Sequence, residues 1–276
     1  MTLSELQKTL GTRLSSYETG EIFRYLCGFS RSDLILHARD EADAALCEKA
    51  LAVMEQRGKN IPLAYLLGRV SFFGDDYIVR PGCLIPRADT EVLVEEAISR
   101  TPENGVLWDL CTGTGCVPIA VLRNRPDVRA WGVEKFPVPL RTAEENAEAL
   151  GVKDRFSVSA GDVLNGDIPA SAPMPDTITA NPPYIASKVC ETLDEQVKKE
   201  PLSALDGGED GLCFYRAIIE KYQHCLAPDG CFLFEIGYDQ GESVSDLCRS
   251  AGFDVSLRRD YENRDRVILA QKTKKF

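Results

Sequence analysis

The stretch that narrows the choice of fold most is Val106-Leu107-Trp108-Asp109-Leu110. This apolar run of strand length passes straight into Cys111-Thr112-Gly113-Thr114-Gly115 and then into the apolar segment Cys116 to Leu122. Strand, glycine-rich turn and helix in that order are the first unit of a nucleotide-binding α/β sheet, in which glycines let the backbone come close to a ligand. A short Gly-x-Gly carries little weight alone. The spacing Asp-x-x-x-Gly-x-Gly also differs from the dinucleotide pattern Gly-x-Gly-x-x-Gly, and Pro118 disfavours a long phosphate-capping helix in the next segment. The expected ligand therefore need not carry phosphate.

The pattern then repeats. Arg129-Ala130-Trp131-Gly132-Val133 reads as a second strand ending at Glu134, where an acidic side chain can accept two hydrogen bonds from a ribose and selects an unphosphorylated one. Leu140, Ala143, Ala147 and Leu150 recur at helical spacing, with Gly151 as the C′ residue of a crossover helix. Phe156-Ser157-Val158-Ser159 is a third strand, followed by Gly161-Asp162-Val163, where Asp162 could bond an adenine amine and Val163 could pack on the ring. A single acid at a strand end is usually just solvated. Recurrence at successive strand C-termini is what lifts these residues, because ligands of open α/β sheets sit at that edge. Further strands near Asp176, Cys231, Asp254 and Val267 complete the pattern. The expected fold is α/β, a Rossmann-like, mostly parallel sheet of about seven strands with helices on both faces.

Residues 1–68 read differently. Leu3, Leu6 and Leu10, then Ile22, Tyr25 and Leu26, then Leu46, Ala50, Val53 and Met54 mark short helices broken at Gly11, Gly28 and Gly58. This is a small helical domain without catalytic chemistry of its own. Residues 69–86 form a linker, in which Ser71 to Leu84 alternate around Gly74-Asp75-Asp76 as a β-hairpin would. The α/β domain is expected over 87–276.

A second motif supplies the chemistry. Asp176-Thr177-Ile178-Thr179-Ala180 reads as a buried strand and leads into Asn181-Pro182-Pro183-Tyr184. Each proline removes an N–H, fixes its own φ and biases its predecessor away from the helical region, so the turn is stiff and its polar groups are mostly acceptors. Acceptors beside an aromatic face suit a planar NH2 group, either a carboxamide or an exocyclic base amine. Amide nitrogen is a poor nucleophile because its lone pair is delocalised. Holding both N–H bonds towards Asn181 and the Pro182 carbonyl would help localise the pair at the attacking face.

Composition limits the partners. The net charge of −11 repels nucleic acid at long range, and the only obvious basic cluster, Lys272, Lys274 and Lys275, reads as a solvated tail. Ten cysteines without any Cys-x-x-Cys, and only His37 and His224, give neither a zinc ligand set nor a disulfide framework, so no metal is expected. No signal segment and no apolar run near 20 residues are evident, so a soluble, cytoplasmic protein without a membrane partner is expected. His37 reads as a packed or capping residue, Glu235 as a buried strand end or part of a cofactor pocket, and Arg258, Arg259, Arg264 and Arg266 as a solvated face.

Together these stretches resemble the class I S-adenosylmethionine-dependent methyltransferases. Within them the chain is similar over nearly its whole length to the HemK/PrmC family, the peptide chain release factor N5-glutamine methyltransferases. The resemblance rests on Leu84 to Glu91, Asp109 to Gly115, Ala180 to Ile185, Glu200 to Leu205 with Gly207 to Gly211, and Glu235-Ile236-Gly237. It implies that S-adenosyl-L-methionine, leaving as S-adenosyl-L-homocysteine, is held by Asp109, Cys111, Thr112, Gly113, Thr114, Gly115, Glu134, Asp162, Val163 and Asn181. It implies that Asn181, Pro182, Pro183 and Tyr184, with Arg87 at the mouth, hold the glutamine of a release factor's Gly-Gly-Gln loop. Catalytic roles would fall to Asn181, Pro182 and Tyr184, in a monomer that meets no nucleic acid directly. Two departures stand out. Ala88 and Asp89 replace the family's usual Pro-Glu, and Cys111 replaces a common glycine, where a cysteine is expected to need φ below zero. Three other activities compete: a glutamine methyltransferase acting on a ribosomal protein, an adenine-N6 methyltransferase acting on nucleic acid, and a non-catalytic protein that uses the same fold for binding. The acidic balance opposes the second, and the intact Asn181 opposes the third.

Overall fold

The computed structural model describes residues 1–272. Five helices open the chain: α1 (Leu3–Leu10), α2 (Ser16–Cys27), α3 (Arg31–Leu36), α4 (Ala44–Arg57) and α5 (Leu63–Leu67). The first three begin with reciprocal capping boxes, Thr2 with Glu5, Ser15 with Glu18 and Ser30 with Asp33, so each start is fixed by two local hydrogen bonds. Gly11, Gly28 and Gly58 end α1, α2 and α4 as expected. Leu3, Leu6, Leu10, Ile22, Phe23, Ala50 and Val53 fill a core separate from those of the sheet. His37 caps α3 through its backbone N–H and stacks its ring on Phe29 at 5.4 Å.

The linker is a hairpin of β1 (Arg69–Phe72) and β2 (Asp75–Ile78). Its turn is tighter than the sequence implied. Phe73 and Gly74 alone make it, both at positive φ (48° and 84°), which is the primed geometry whose twist matches the strands, so Asp75 already pairs with Phe72. Asp76 accepts from Arg24 at 2.6 Å and from the Tyr25 hydroxyl at 2.7 Å, tying the hairpin to α2.

The remainder comprises α6 (Glu91–Arg100), β3 (Val106–Leu110), α7 (Cys116–Asn124), β4 (Arg129–Glu134), α8 (Pro137–Ala149), β5 (Phe156–Ala160), β6 (Thr177–Ala180), α9 (Ser187–Cys190), α10 (Cys213–Tyr222), β7 (Cys231–Glu235), α11 (Gly241–Ser250), β8 (Phe253–Arg259) and β9 (Asp265–Lys272). The seven strands lie in the order β5-β4-β3-β6-β7-β9-β8, with β9 antiparallel to both its neighbours and β5 through β7 parallel. One core packs Val92, Leu93, Ile119 and Ala143 of α6, α7 and α8 with Leu107 and Leu233 of the sheet. A second packs Tyr215, Ile218, Tyr222 and Val244 of α10 and α11 with Trp108, Ile178 and Phe232. Crossovers from β3 and β6 leave in opposite directions, so a crevice opens between the C-terminal ends of these two adjacent strands.

Several expectations change. Pro118 is not one of them: it is the third residue of the nine-residue α7, a short helix as expected, and its missing N–H would have had no partner within the helix. Arg266 is not on a solvated face. It is 5% exposed, donates to the Ile236 carbonyl at 3.2 Å and pairs with Asp260 at 3.1 Å and Asp89 at 3.2 Å. Arg258 is bound to Glu95 and Glu96 of α6, leaving Arg259 and Arg264 as the exposed members. Lys272 closes β9 with its ammonium on the Leu226 carbonyl at 2.7 Å, whereas Lys274 and Lys275 lie outside the described residues. Among the described residues no helix is long and apolar enough to cross a membrane.

Candidate active site

The turn after β3 reverses the chain at a non-glycine residue. Cys111 adopts φ +61°, against the expectation that a cysteine there keeps φ below zero. The reason is the hydrogen bonding on either side. The Thr112 N–H donates to the Val133 carbonyl at 3.1 Å, the Thr112 hydroxyl donates to the Asp109 carbonyl at 2.8 Å, and the Gly115 N–H donates to the Thr112 carbonyl at 2.9 Å, so the chain must reverse at Cys111. A non-glycine residue in that region costs about 1–2 kcal/mol. Gly115 is required on two counts, a φ of +77° and close packing: a Cβ there would sit 2.9 Å from Ile119 Cδ1 and 3.1 Å from Ala143 Cβ.

Glu134, at the end of β4, is buried. Its Oε2 accepts the Gly113 N–H at 2.8 Å and its Oε1 accepts the Phe136 N–H at 2.8 Å. Burial pushes its pKa up, and these backbone donors pull against the rise. Each oxygen keeps lone-pair capacity for one further donor, which is what a vicinal diol offers. Asp162, after β5, is held by Lys135 at 2.8 Å and caps the Leu164 N–H at 2.9 Å, and the lysine contact lowers its pKa. Asp109, inside β3, accepts the Thr179 hydroxyl at 2.6 Å, and burial pushes its pKa up to about 7.

Across the switch point, Asn181 leaves β6 with its Nδ2 donating to the Thr90 hydroxyl at 3.3 Å. Its Oδ1 is thereby the end left for an incoming donor. The backbone of Pro183 and Tyr184 is pressed against Gly207, where a Cβ would fall 2.7 Å from the Pro183 oxygen and 2.8 Å from the Tyr184 Cα. Gln240 fixes the same loop by donating to the Tyr184 carbonyl at 2.9 Å and the Gly211 carbonyl at 3.2 Å. Arg87 pairs with Glu200, whose other oxygen accepts the Ile85 N–H at 2.9 Å, so the segment 200–204 is tied across the mouth. Ala88, Asp89 and Thr90 still form a helical turn, and Asp89 uses its shorter side chain to reach Arg266. Arg57 of α4 bonds Glu18 and Gln196 at 2.6 Å each, joining the helical region to the chain beyond Asn181.

One cavity of about 530 Å³ takes in this whole edge. Arg87, Asp109, Cys111 to Thr114, Glu134, Asp162, Val163, Asn181 and Pro183 line it, whereas Gly115, Pro182 and Tyr184 stand behind the wall. It runs from the end of β5 across β4 and β3 to β6, three strand spacings or roughly 14 Å. Three further contributors were given no role from the sequence, although Thr90 and Pro201 to Ala204 fall within the stretches that carry the family resemblance. Thr90 orients Asn181, the segment Pro201 to Ala204 forms part of the rim, and Asn146 of α8 bonds Ile78 of the hairpin and Thr114 of the turn.

Comparison with known proteins agrees with this architecture. The family model described as the PrmC N-terminal domain matches residues 6–68, and one described as a precorrin methyltransferase domain matches residues 96–199. Among solved structures, the ribosomal protein L11 methylase of Lactobacillus delbrueckii subsp. bulgaricus shares the fold at a TM-score of 0.50 and 19% identity, over 74% of this chain and 90% of that one. The release factor glutamine methyltransferase of Aquifex aeolicus is 34% identical over 91% of this chain and 89% of its own length. That of Moorella thermoacetica is 34% identical over 94% of this chain and 92% of its own. This chain belongs to the release factor glutamine methyltransferase family.

Proposed function

We propose that this protein transfers the methyl group of S-adenosyl-L-methionine to the side-chain amide nitrogen (N5) of the glutamine in the Gly-Gly-Gln loop of peptide chain release factors. The observation that carries the reading is the shared cavity. A buried carboxylate with room for a diol and an asparagine with its acceptor end free line the same roughly 14 Å slot. The residues fit the cofactor: Glu134 takes the ribose hydroxyls, Asp162 and Val163 take the adenine, and Cys111 to Gly115 give the chain close approach to its tail.

Bound S-adenosylmethionine supplies a methyl group already activated by a sulfonium, so the protein's work is alignment and exclusion of water. Asn181 Oδ1 accepts an N–H of the glutamine, while Pro182, Pro183 and Tyr184 stiffen the lip that carries it. An NH2 left there without a partner would lose about 1–3 kcal/mol per donor, and the same acceptor repels a carboxylate. Arg87 and the segment it anchors through Glu200 shape the entrance, and residues 1–68 recognise the protein substrate. On this reading the enzyme meets its substrate in the cytoplasm, where translation ends.

The test is to incubate the protein with labelled S-adenosylmethionine and, separately, a release factor, ribosomal protein and DNA. Label is expected on the Gly-Gly-Gln glutamine alone. Asn181→Ala is expected to lower turnover at least a hundredfold, with cofactor affinity changed by no more than a few-fold. Normal methylation by that variant, or label on either of the other substrates, refutes the assignment.

A further inference from the structure

Behind Asn181 lies a carboxyl group that the mechanism above does not use. Glu235, the last residue of β7, is 1% exposed, and its Oε2 has no hydrogen-bond partner among the described residues. The Thr90 hydroxyl and the Asn181 amide both lie against this carboxyl. Thr90 in turn receives the Asn181 Nδ2 at 3.3 Å. Arg266 of β9, a cation that acts on this carboxyl, is shared with Asp260 and Asp89 and is not committed to Glu235. The Tyr215 hydroxyl of α10 is spent on the main-chain carbonyl of Glu235 at 2.7 Å.

An asparagine amide is nearly symmetric in shape, so nothing steric tells it which end to turn towards the cavity. The reaction needs the oxygen end. We infer that Glu235 is a positioning residue that fixes this choice: as a carboxylate it can only accept, so the Thr90 hydroxyl donates to it and is left with lone pairs facing Asn181, which must answer with Nδ2 and turn Oδ1 to the substrate. Replacing the carboxylate by a group that can also donate removes the directionality. A donor at position 235 can bond the Thr90 oxygen, the hydroxyl can then point at Asn181, and the flipped amide presents NH2 to the NH2 of the glutamine.

Protonation of Glu235 has the same consequence, because a carboxylic acid gains an O–H donor. Burial pushes its pKa up to about 7, with Thr90, Arg266 and Asn181 opposing the rise and Asp89 adding to it. Tyr184, Tyr215 and Cys116 also face it and stay neutral in this range, since burial raises all three. The wild-type kcat is therefore expected to fall about tenfold per pH unit below a midpoint near 7.

This inference rests on the proposed methyl transfer, and the two fail in different ways. The experiment measures kcat and KM for the release factor, and the cofactor Kd by calorimetry, for the full-length wild type, Glu235→Gln and Thr90→Val from pH 5.5 to 8.5. The glutamine variant is expected to lose at least twentyfold in kcat at pH 8, with KM and Kd within threefold of wild type and with no acid limb. Thr90→Val is expected to lose kcat in the same way. Wild-type kcat in Glu235→Gln, a persisting acid limb, or a loss confined to cofactor Kd overturns the assignment while leaving methyl transfer intact. Failure of the wild type to methylate a release factor overturns the function itself. Should Glu235→Gln not fold, the Asn181 side-chain NH2 resonances of the wild type are followed through the same pH range. They are expected to move at the kinetic midpoint, and resonances that stay fixed overturn the inference.

Discussion

Asn146 offers the most direct test of how the hairpin and the glycine-rich turn after β3 are held together. It is fully buried on α8, and its amide makes three hydrogen bonds: Oδ1 accepts the Ile78 N–H at 2.7 Å, and Nδ2 donates to the Ile78 carbonyl at 3.1 Å and the Thr114 carbonyl at 2.9 Å. Asn146→Ala leaves all three backbone groups without that partner. A buried polar group so stranded costs about 1–3 kcal/mol. Thr114 is buried and bears the full penalty, taken as about 2 kcal/mol, while half-buried Ile78 lets water reach its two groups at about half that each. The sum is about 4 kcal/mol, a large part of the 5–15 kcal/mol that holds a typical protein folded. With a urea slope of about 3 kcal/mol per molar for a chain of this size, the unfolding midpoint should drop by roughly 1.3 M. Fluorescence is the right probe, because the two tryptophans, Trp108 and Trp131, lie in β3 and β4 and report on the sheet. Asn146→Asp sharpens the test. A carboxylate keeps the acceptor but sets a charge against two carbonyl oxygens, so its pKa must rise on folding and its stability must recover as the pH falls towards 5. An alanine variant within about 1 kcal/mol of wild type, or an aspartate variant indifferent to pH, would refute the reasoning.

Asp109 makes a second pH prediction. Its pKa rises on folding from an ordinary 3.8 to about 7. The favourable state is therefore the protonated one, its contribution is complete below about pH 4, and stability is lost as the pH climbs through 7. That loss should approach about 4 kcal/mol. Asp109→Asn should flatten the slope in urea titrations between pH 5 and 8, and parallel slopes would sink the claim. At Cys111, with φ +61°, Cys111→Gly should leave stability equal to wild type or up to about 1 kcal/mol higher. Cys111→Val, branched at Cβ, should cost about 2 kcal/mol or more. A valine variant as stable as the glycine one would contradict the strained turn.

Much of the site was legible because its residues follow strands directly. Glu134 ends β4, Asp162 follows β5 and Asn181 follows β6, and a parallel sheet brings strand C-termini to one edge whatever the loops do. Backbone conformation was less legible. The φ of Cys111 is set by hydrogen bonds to Val133 and Asp109, and the tight Phe73-Gly74 turn by the register of its strands. The composition around Cys111 points the other way. Arg266 shows the same limit for burial. Four arginines near one hairpin look alike in sequence, and only the position of β9 between β7 and β8, beside Asp89 and Asp260, puts one of them inside.

The sequence by itself determined the α/β class, the strand order of the acids and the acceptor-rich lip, because hydrophobic period, glycine and proline act within a few residues of where they stand. Only the tertiary structure decided which distant side chains meet the residues at the strand ends. Thr90, Asn146, Glu200 and Glu235 reach the site from different elements, and their partners are separated from them by 32 to 145 residues of chain, as in Asn146 with Thr114 and Glu235 with Thr90. Whether a polar side chain is a solvated group or a buried pin depends on what packs over it, and that is a property of the assembled sheet.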